Sequence, residues 1–274
     1  MKRFFALFAA LTLFCTGISA QTAACRTETG IAYRDAAGDG YVDSLCRLDI
    51  CWPADRKGFP TVVWFHGGGL TGGRREIPKA LCVKGFAVVG VDYRLAPRVK
   101  VADCVADAAA AAAWVVKNIA SYGGDPRLIF IAGHSAGGYL TSMIGLDKRW
   151  MAPDGIDPDT AFAALIPYSG QVVTHFARRR EMGIPDTQVV VDDMAPLNYI
   201  RPDCPPILIL SGDREREMLG RYEENAYFWR MMQVAGHPDV GIREFDGFDH
   251  GNMPQAGHYV AVRYIRDFVK KLER

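Results

Sequence analysis

The chain has 274 residues, a formal net charge of +1 and a hydrophobic fraction of 49%. These values indicate a globular domain with a sizeable core, because a chain of about 300 residues buries roughly three quarters of its unfolded surface. The balanced charge and the lack of a long basic stripe argue against nucleic-acid binding, so we expect no nucleic acid partner.

The first twenty residues have the layout of a cleaved export signal. Lys2 and Arg3 precede an apolar stretch at 4–14, and small residues follow up to Ala20. The stretch is short for a bilayer span, which needs about 20 apolar residues, although an uncleaved anchor is the alternative. We predict a signal peptide at 1–20, one domain at 21–274 without a membrane span, and export to the periplasm or the extracellular space.

Six cysteines remain after the predicted cleavage, and their number permits disulfides in an exported protein. Several of them are equally compatible with buried thiols, and the sequence predicts no particular pairing. Their spacing matches no zinc-binding pattern, so no metal site is predicted. The six are Cys25, Cys46, Cys51, Cys82, Cys104 and Cys204.

Apolar runs and helical patterns alternate along the rest of the chain. Strands are predicted at 45–52, 61–69, 87–93, 127–133, 161–170, 205–213 and 242–250. Helices are predicted at 77–86, 101–124, 138–147, 214–236 and 257–273. Continuous apolar strands separated by helices indicate an α/β fold, with a mostly parallel sheet and helices on both faces.

Ligands bind at the carboxyl ends of the strands in such a sheet, so the turns that follow the strands should form one site. The segment 171–197 is longer than a simple connection and lies between two late strands. We predict that it forms a short lid or specificity wall over that site.

Ser135 lies in the sequence GHSAG at 133–137, which fits the G-x-S-x-G pattern. In this pattern a serine on a strained strand-to-helix turn acts as a nucleophile. The predicted strand before it and the helical pattern after it supply the required context. The alternative is a serine that only caps the helix.

The sequence HGGG at 66–69 also follows a predicted strand. Glycines let main-chain N–H groups approach a substrate oxygen without side-chain obstruction. We therefore expect Gly68, Gly69 and Ala136 to form an oxyanion hole, with His66 as a structural residue of the loop. A plain flexible turn is the alternative.

A nucleophilic serine needs a base and an acid that orients the base. His250 follows the last predicted strand, as the chain order serine, acid, histidine requires. His175, in the insertion, is expected to line the substrate pocket. For the acid, Glu215 and Asp213 both follow the strand at 205–213, and the choice between them stays open, with Glu215 favoured by a Gly-x-x-acid turn.

Several segments together resemble the α/β-hydrolase fold: VVWFHGGG, VDYRLAP, GGDPRLIFIAGHSAGGYL, SGDRE and DGFDHG. The chain is similar to serine carboxylesterases of the hormone-sensitive-lipase and feruloyl-esterase-like (BD-FAE-type) branch over roughly residues 30–274. The resemblance implies hydrolysis of carboxylic esters through an acyl-enzyme on Ser135, without a cofactor. In contrast to hormone-sensitive lipases, too few residues precede HGGG to build a helical cap.

The resemblance and the predicted export together favour short-chain esters, including acetyl or feruloyl groups on plant polysaccharide. Arg178 and the two arginines after it could meet an acidic sugar, although a solvated charged face is the alternative. The alternative functions are those of a kynurenine-formamidase-like amidase and of a non-catalytic binding protein on the same fold. The oligomeric state is not predicted.

Overall fold

An eight-stranded sheet forms the centre of the computed structural model, which describes residues 25–82 and 85–272. The predicted signal peptide lies outside these residues. The strand order is β1-β2-β4-β3-β5-β6-β7-β8, in which β1, β2 and β4 pair antiparallel and all other neighbours pair parallel. The strands are β1 (Cys25–Ala32), β2 (Arg47–Pro53), β3 (Phe59–Phe65), β4 (Ala87–Val91), β5 (Gly124–His134), β6 (Ala164–Tyr168), β7 (Ile207–Gly212) and β8 (Val240–Phe245).

Eight helices lie between or after the strands in the described ranges, and together they cover both faces of the sheet. They are α1 (Gly40–Leu45), α2 (Lys79–Cys82), α3 (Val101–Tyr122), α4 (Ala136–Leu146), α5 (Pro158–Ala161), α6 (Phe176–Glu181), α7 (Arg221–Val234) and α8 (Met253–Leu272). Short 3₁₀ turns lie at Lys148–Trp150, Ala152–Asp154 and Pro196–Tyr199. The predicted α/β architecture, with a mostly parallel sheet between helices, is confirmed.

Alternate residues of the central strands point into two separate cores, as the pleat of a strand requires. Val63 and Phe65 of β3 face the core that α3, α4 and α7 cover. Val62 and Trp64 face the second core, to which α8 contributes Ile265. Because both faces are buried, these strands appear in the sequence as continuous apolar runs.

Helix α3 has clear start and stop signals. The Lys100 amide donates to the Asp103 carboxylate at 3.0 Å, which satisfies a main-chain donor at the first turn. Gly123 ends the helix with φ +95°, a left-handed conformation that glycine adopts without a Cβ penalty. The alanine-rich middle of the helix lies flat against the sheet and is largely buried.

Three of the differences from the predicted elements have a clear physical reason or bear on the site. Strand β1 was not predicted, because it is a polar and largely exposed edge strand without an apolar run. The predicted helix at 77–86 is reduced to α2. The predicted helix at 214–236 begins only at Arg221, so 214–220 forms a loop at the carboxyl edge of the sheet.

Both of the states that the sequence allows for the cysteines, disulfides and buried thiols, occur in the structure. Cys51 and Cys82 form a disulfide between β2 and α2. Cys46, Cys104 and Cys204 are buried thiols. Across 25–82 and 85–272, every helix is too short or too polar to cross a bilayer.

Candidate active site

Ser135 lies between the end of β5 and the start of α4, with φ 56° and ψ −114°. A non-glycine residue held at positive φ stores strain and marks a position that the surrounding packing determines. The neighbouring glycines permit that packing, since a Cβ on Gly137 would lie 2.0 Å from the Phe65 carbonyl oxygen. A Cβ on Gly133 would meet the Gly137 backbone at 2.6 Å. The turn therefore presents the serine hydroxyl at the carboxyl edge of the sheet.

His250 follows β8 and reaches the serine from the neighbouring loop. Its Nε2 atom lies 2.9 Å from the Ser135 Oγ atom. The loop is tied to the serine turn, because His134 Nε2 donates to the His250 carbonyl oxygen at 2.8 Å. Burial, and then the nearby His250 ring, lower the pKa of His134 to about 4, so this imidazole is neutral at pH 7. Ser135 and His250 thus meet as the sequence predicted.

The acid partner of His250 is Glu217, which the sequence reasoning missed. Its Oε1 atom lies 2.5 Å from His250 Nδ1, and its side chain is completely buried. Neither of the predicted acids contacts His250. Asp213 instead accepts the Gly247 and Glu215 amides at 2.7 and 2.9 Å, while the Glu215 side chain is exposed to solvent. The carboxylate of Asp213 thereby holds the loop that places Glu217 beneath the histidine.

Main-chain and hydroxyl donors complete the surroundings of Glu217. Its Oε2 atom accepts the Ser169 hydroxyl at 2.7 Å and the Gly212 amide at 3.2 Å, and Oε1 also accepts the Met218 amide at 2.9 Å. Burial opposes ionisation, but the hydrogen bond from His250, its charge, and the hydrogen bonds from Ser169 and Met218 together outweigh it and lower the pKa of Glu217 to about 2. The carboxylate is therefore ionised at neutral pH and can stabilise a protonated His250.

The HGGG loop lies beside Ser135. Gly68 and Gly69 have φ +112° and +64° and line the same cavity as the serine. Across 25–82 and 85–272, neither of their amides donates to a protein acceptor. Ala136 contributes the first amide of α4, which is also free of an intrahelical partner. His66 stacks on Tyr93 at 4.4 Å between ring centroids and is buried, in the structural position expected for it.

A cavity of about 320 Å³ opens over these groups. Its volume is at the small end of the range for ligand pockets, roughly 300–1,000 Å³. The lining residues are Gly68, Gly69, His134, Ser135, His175, Phe176, Met218, Arg221 and His250. The segment 171–197 therefore contributes part of the wall, as the sequence predicted for His175.

Arg178 is not among the lining residues, and the prediction for it was wrong. Its half-buried side chain instead forms an ion pair with Glu181 at 3.0 Å and lies 3.9 Å from Asp192. The cationic residue in the wall is Arg221, the first residue of α7. Its guanidinium is almost fully buried and donates to the Ser169 carbonyl oxygen at 2.6 Å.

His175 is buried in the cavity wall, and its Nδ1 atom accepts the Ala177 amide at 3.1 Å. Burial, followed by the charges of Arg221 and Arg179, lowers the pKa of His175 to about 3. The ring is therefore neutral at pH 7 and carries its proton on Nε2.

The residues of the cavity form no cluster of metal ligands. Within the described ranges, the group whose ligand atoms lie close enough for an ion is Cys25, Cys51 and Cys82. Two of these three sulfurs are joined in the disulfide. The chemistry available at the cavity is that of a hydroxyl, an imidazole, a buried carboxylate and main-chain amides.

Comparison with known proteins shows which families this chain resembles. The BD-FAE family model matches residues 48–164. The chain is 31% identical over 241 residues to the probable carboxylic ester hydrolase LipM of Mycobacterium tuberculosis, covering 76% of this chain and 55% of that protein. The chain spans about half the length of the curated relatives it matches.

Solved structures extend the similarity over almost the whole fold. Esterase 2 of Thermogutta terrifontis, phosphonylated by cyclosarin, is 26% identical with a TM-score of 0.70, covering 88% of this chain and 94% of that one. A truncated carbohydrate esterase from gut microbiota has the same fold, with 19% identity, a TM-score of 0.72 and coverage of 91% and 98%.

Proposed function

This chain is an α/β-hydrolase of the esterase branch that includes the hormone-sensitive-lipase-like and feruloyl-esterase-like enzymes, and we propose that it hydrolyses carboxylic esters through an acyl-enzyme on Ser135. One observation carries the proposal. The Ser135 Oγ atom lies 2.9 Å from His250 Nε2, and the other ring nitrogen, Nδ1, lies 2.5 Å from Glu217 Oε1. Ser135 also lines the cavity. This is the hydrogen-bonded order that activates a serine nucleophile.

In the proposed reaction, His250 Nε2 takes the proton of the Ser135 hydroxyl as its oxygen attacks the ester carbonyl. Glu217 accepts the Nδ1 proton in a hydrogen bond, which fixes the tautomer and stabilises the imidazolium. The amides of Gly68, Gly69 and Ala136 receive the negative oxygen of the tetrahedral intermediate. His250 then gives its proton to the leaving alcohol.

The second half of the reaction uses the same groups. A water molecule replaces the alcohol, and His250 Nε2 takes its proton as the water attacks the acyl carbonyl. Collapse of the second intermediate releases the carboxylic acid and returns the proton to Ser135. The Glu217 carboxylate is buried and ionised throughout, so the site is ready for the next ester without a change of protonation.

For the substrate, we propose a short acyl ester, with acetyl or feruloyl groups on plant polysaccharide as the candidates. The small cavity favours a short acyl group. Phe176 and Met218 supply apolar wall for an aromatic acyl group. The export signal predicted at 1–20 favours a substrate outside the cytoplasm.

The proposal is tested with phenyl acetate and with paraoxon, because an organophosphate labels an activated serine. The wild type is expected to release phenol and to gain one phosphoryl group, whereas Ser135→Ala should lose both reactions. Ser142→Ala is the matched control, since Ser142 is buried on the same helix and its hydroxyl donates to the Gly138 carbonyl oxygen. Equal activity in the wild type and Ser135→Ala would refute the assignment.

Export is tested on the full-length chain expressed with its N-terminus intact. Sequencing of the protein recovered outside the cytoplasm should give Gln21 as the first residue. A protein that keeps Lys2 and Arg3 and stays in the membrane fraction would instead support the anchor.

A further inference from the structure

Arg221 is the one formally charged side chain among the nine residues that line the cavity. The other eight are glycines, histidines, a serine, a phenylalanine and a methionine, so among the residues that the structure describes no carboxylate lines the cavity. The Arg221 side chain is only 4% exposed. An arginine buried this deeply beside a nucleophile is costly unless its donors are used.

The protein uses only part of the donor capacity of this guanidinium. Nε donates to Glu224 Oε1 at 2.8 Å, and Nη1 donates to the Ser169 carbonyl oxygen at 2.6 Å. An arginine has five N–H donors, and within the described residues both donors on Nη2 have no protein acceptor. The two bonds hold the plane of the guanidinium rigidly while its outer nitrogen is available to a ligand.

Glu224 balances the charge of Arg221 without covering it. Its Oε2 atom accepts the Val172 and Val173 amides at 3.0 and 3.1 Å, and its Oε1 atom accepts Arg221 Nε, so both carboxylate oxygens are occupied. Glu224 does not line the cavity. The ion pair with Glu224 therefore orients Arg221. Arg221 then attracts a ligand mainly through its directed N–H donors.

A second donor lies in the same wall. Because His175 Nδ1 accepts the Ala177 amide, the neutral ring carries its proton on Nε2. Across 25–82 and 85–272, Nε2 makes no hydrogen bond to the protein. His175 and Arg221 thus offer N–H donors in the wall of the same cavity. Phe176 and Met218 contribute apolar surface to that wall.

We propose that Arg221, together with His175, forms a subsite for a carboxylate on the substrate, so that the preferred substrate is an ester with a free acid group near the scissile bond. The inference rests on the proposed esterase function. A guanidinium binds a carboxylate through short, charge-assisted hydrogen bonds that a neutral group cannot match. The acid group belongs either to the acyl part, as in a dicarboxylic half-ester, or to the alcohol part, as in an acylated sugar acid.

Two pairs of isosteric esters distinguish these sources in the wild type. Monophenyl adipate against phenyl adipamate places the acid on the acyl side, and 3-acetoxybenzoate against 3-acetoxybenzamide places it on the alcohol side. Each kcat/KM is divided by the rate constant for hydroxide-catalysed hydrolysis of the same ester, so that differences in intrinsic ester reactivity cancel. We expect one of the two acids to exceed its amide by roughly 10- to 100-fold. A ratio of one or less in both pairs would overturn the proposal.

The double variant Arg221→Gln/Glu224→Gln removes the donor fork without leaving a buried charge unpaired. The acid-to-amide ratio should fall to about one, whereas Arg178→Gln should keep the wild-type ratio because Arg178 does not line the cavity. A double variant that retains the preference would contradict the inference. If that variant does not fold, Arg221→Lys keeps the charge, and its ratio should still fall several-fold because the planar fork is lost.

The esterase proposal and the subsite proposal fail in different ways. Without hydrolysis of phenyl acetate and labelling by paraoxon, the esterase function itself is wrong. With both reactions present and no preference for either acid, only the carboxylate subsite is wrong.

Inhibition by free carboxylates is a further test. Millimolar benzoate or adipate should competitively inhibit hydrolysis of phenyl acetate by the wild type, and the double variant should need at least tenfold more of the inhibitor for the same inhibition.

Discussion

The Oε1 atom of Glu217 lies 2.5 Å from the Nδ1 atom of His250, at the far side of the imidazole from Ser135. The carboxylate is completely buried and is held by hydrogen bonds from the Ser169 hydroxyl and the Met218 amide. It can accept one proton in a hydrogen bond from the imidazole while its own position is fixed. This contact decides which of three neighbouring acidic residues serves the histidine.

Glu217→Gln should therefore lower kcat by about three to four orders of magnitude. Glutamine keeps the size of the side chain but removes the charge that stabilises the imidazolium, and its amide can select the wrong tautomer. The measurement is kcat with phenyl acetate, together with circular dichroism to show that the fold is kept.

The two neighbouring acids provide the controls. Glu215→Gln changes an exposed side chain, and kcat should stay within about twofold of the wild type. Asp213→Asn weakens the hold on the Gly247 amide and should cost more than Glu215→Gln but far less than Glu217→Gln. A loss in either control as large as that of Glu217→Gln would assign the acid to another residue.

The sequence predicted those parts of the site that depend on local geometry. The glycines around Ser135 are needed because the chain passes within contact distance of the Phe65 carbonyl oxygen, so the pattern is imposed by packing and is visible in the sequence. His250 is similarly fixed by its place after the last strand. The central strands were predicted because both of their faces are buried and their sequences are apolar throughout.

The acidic residue that binds His250 could not be assigned from a local sequence pattern. Residues 213–217 contain three acids and two arginines, and their spacing also fits a helix, which we predicted over 214–236. The structure instead has a loop, because α7 begins only at Arg221 and Asp213 binds the Gly247 amide across the chain. That tertiary contact turns Glu217 inward. For the same reason the sequence did not distinguish Arg221, which lines the cavity, from Arg178, which does not.

His134 ties the histidine loop to the serine turn, and His134→Phe should lower kcat about tenfold with little change in KM. The substitution keeps an aromatic ring but removes the Nε2–H donor that binds the His250 carbonyl oxygen at 2.8 Å. His134→Gln restores a donor, and its kcat should recover to within about threefold of the wild type. If the His134→Gln and His134→Phe variants have the same kcat, the hydrogen bond from His134 has no part in positioning His250.

Gly68 and Gly69 allow a matched test of the oxyanion loop. A Cβ on Gly68 would lie 2.1 Å from the Gly72 carbonyl oxygen, and its φ is +112°, so Gly68→Ala must displace the loop. We expect kcat to fall by about two to three orders of magnitude, the typical cost of one lost oxyanion donor. For Gly69→Ala the nearest atom is Thr71 Oγ1 at 3.7 Å, and φ is +64°.

Gly69→Ala should therefore cost about 1 kcal/mol of folding stability and much less activity than Gly68→Ala. Measured Tm and kcat separate the two effects. An equal loss of kcat in both variants would mean that the loop does not depend on the close approach of Gly68 to Gly72.

His175 should make the fold sensitive to mild acid. Burial, and then Arg221 and Arg179, hold its folded-state pKa at about 3, whereas an unfolded histidine titrates near 6.5. Below about pH 6.5 the unfolded chain binds a proton that the folded chain does not, so the free energy of unfolding falls as pH drops towards 3. The contribution of one such residue is at most about 1.4 kcal/mol per pH unit.

His175→Asn removes the imidazole and keeps an acceptor for the Ala177 amide, because asparagine is a good N-cap. The variant is expected to be less stable at pH 7, where it leaves a small cavity. Between pH 6.5 and 4, however, its free energy of unfolding should fall less steeply than that of the wild type. Urea titrations at half-unit pH intervals measure both slopes, and parallel curves would show that His175 accepts a proton in the folded state.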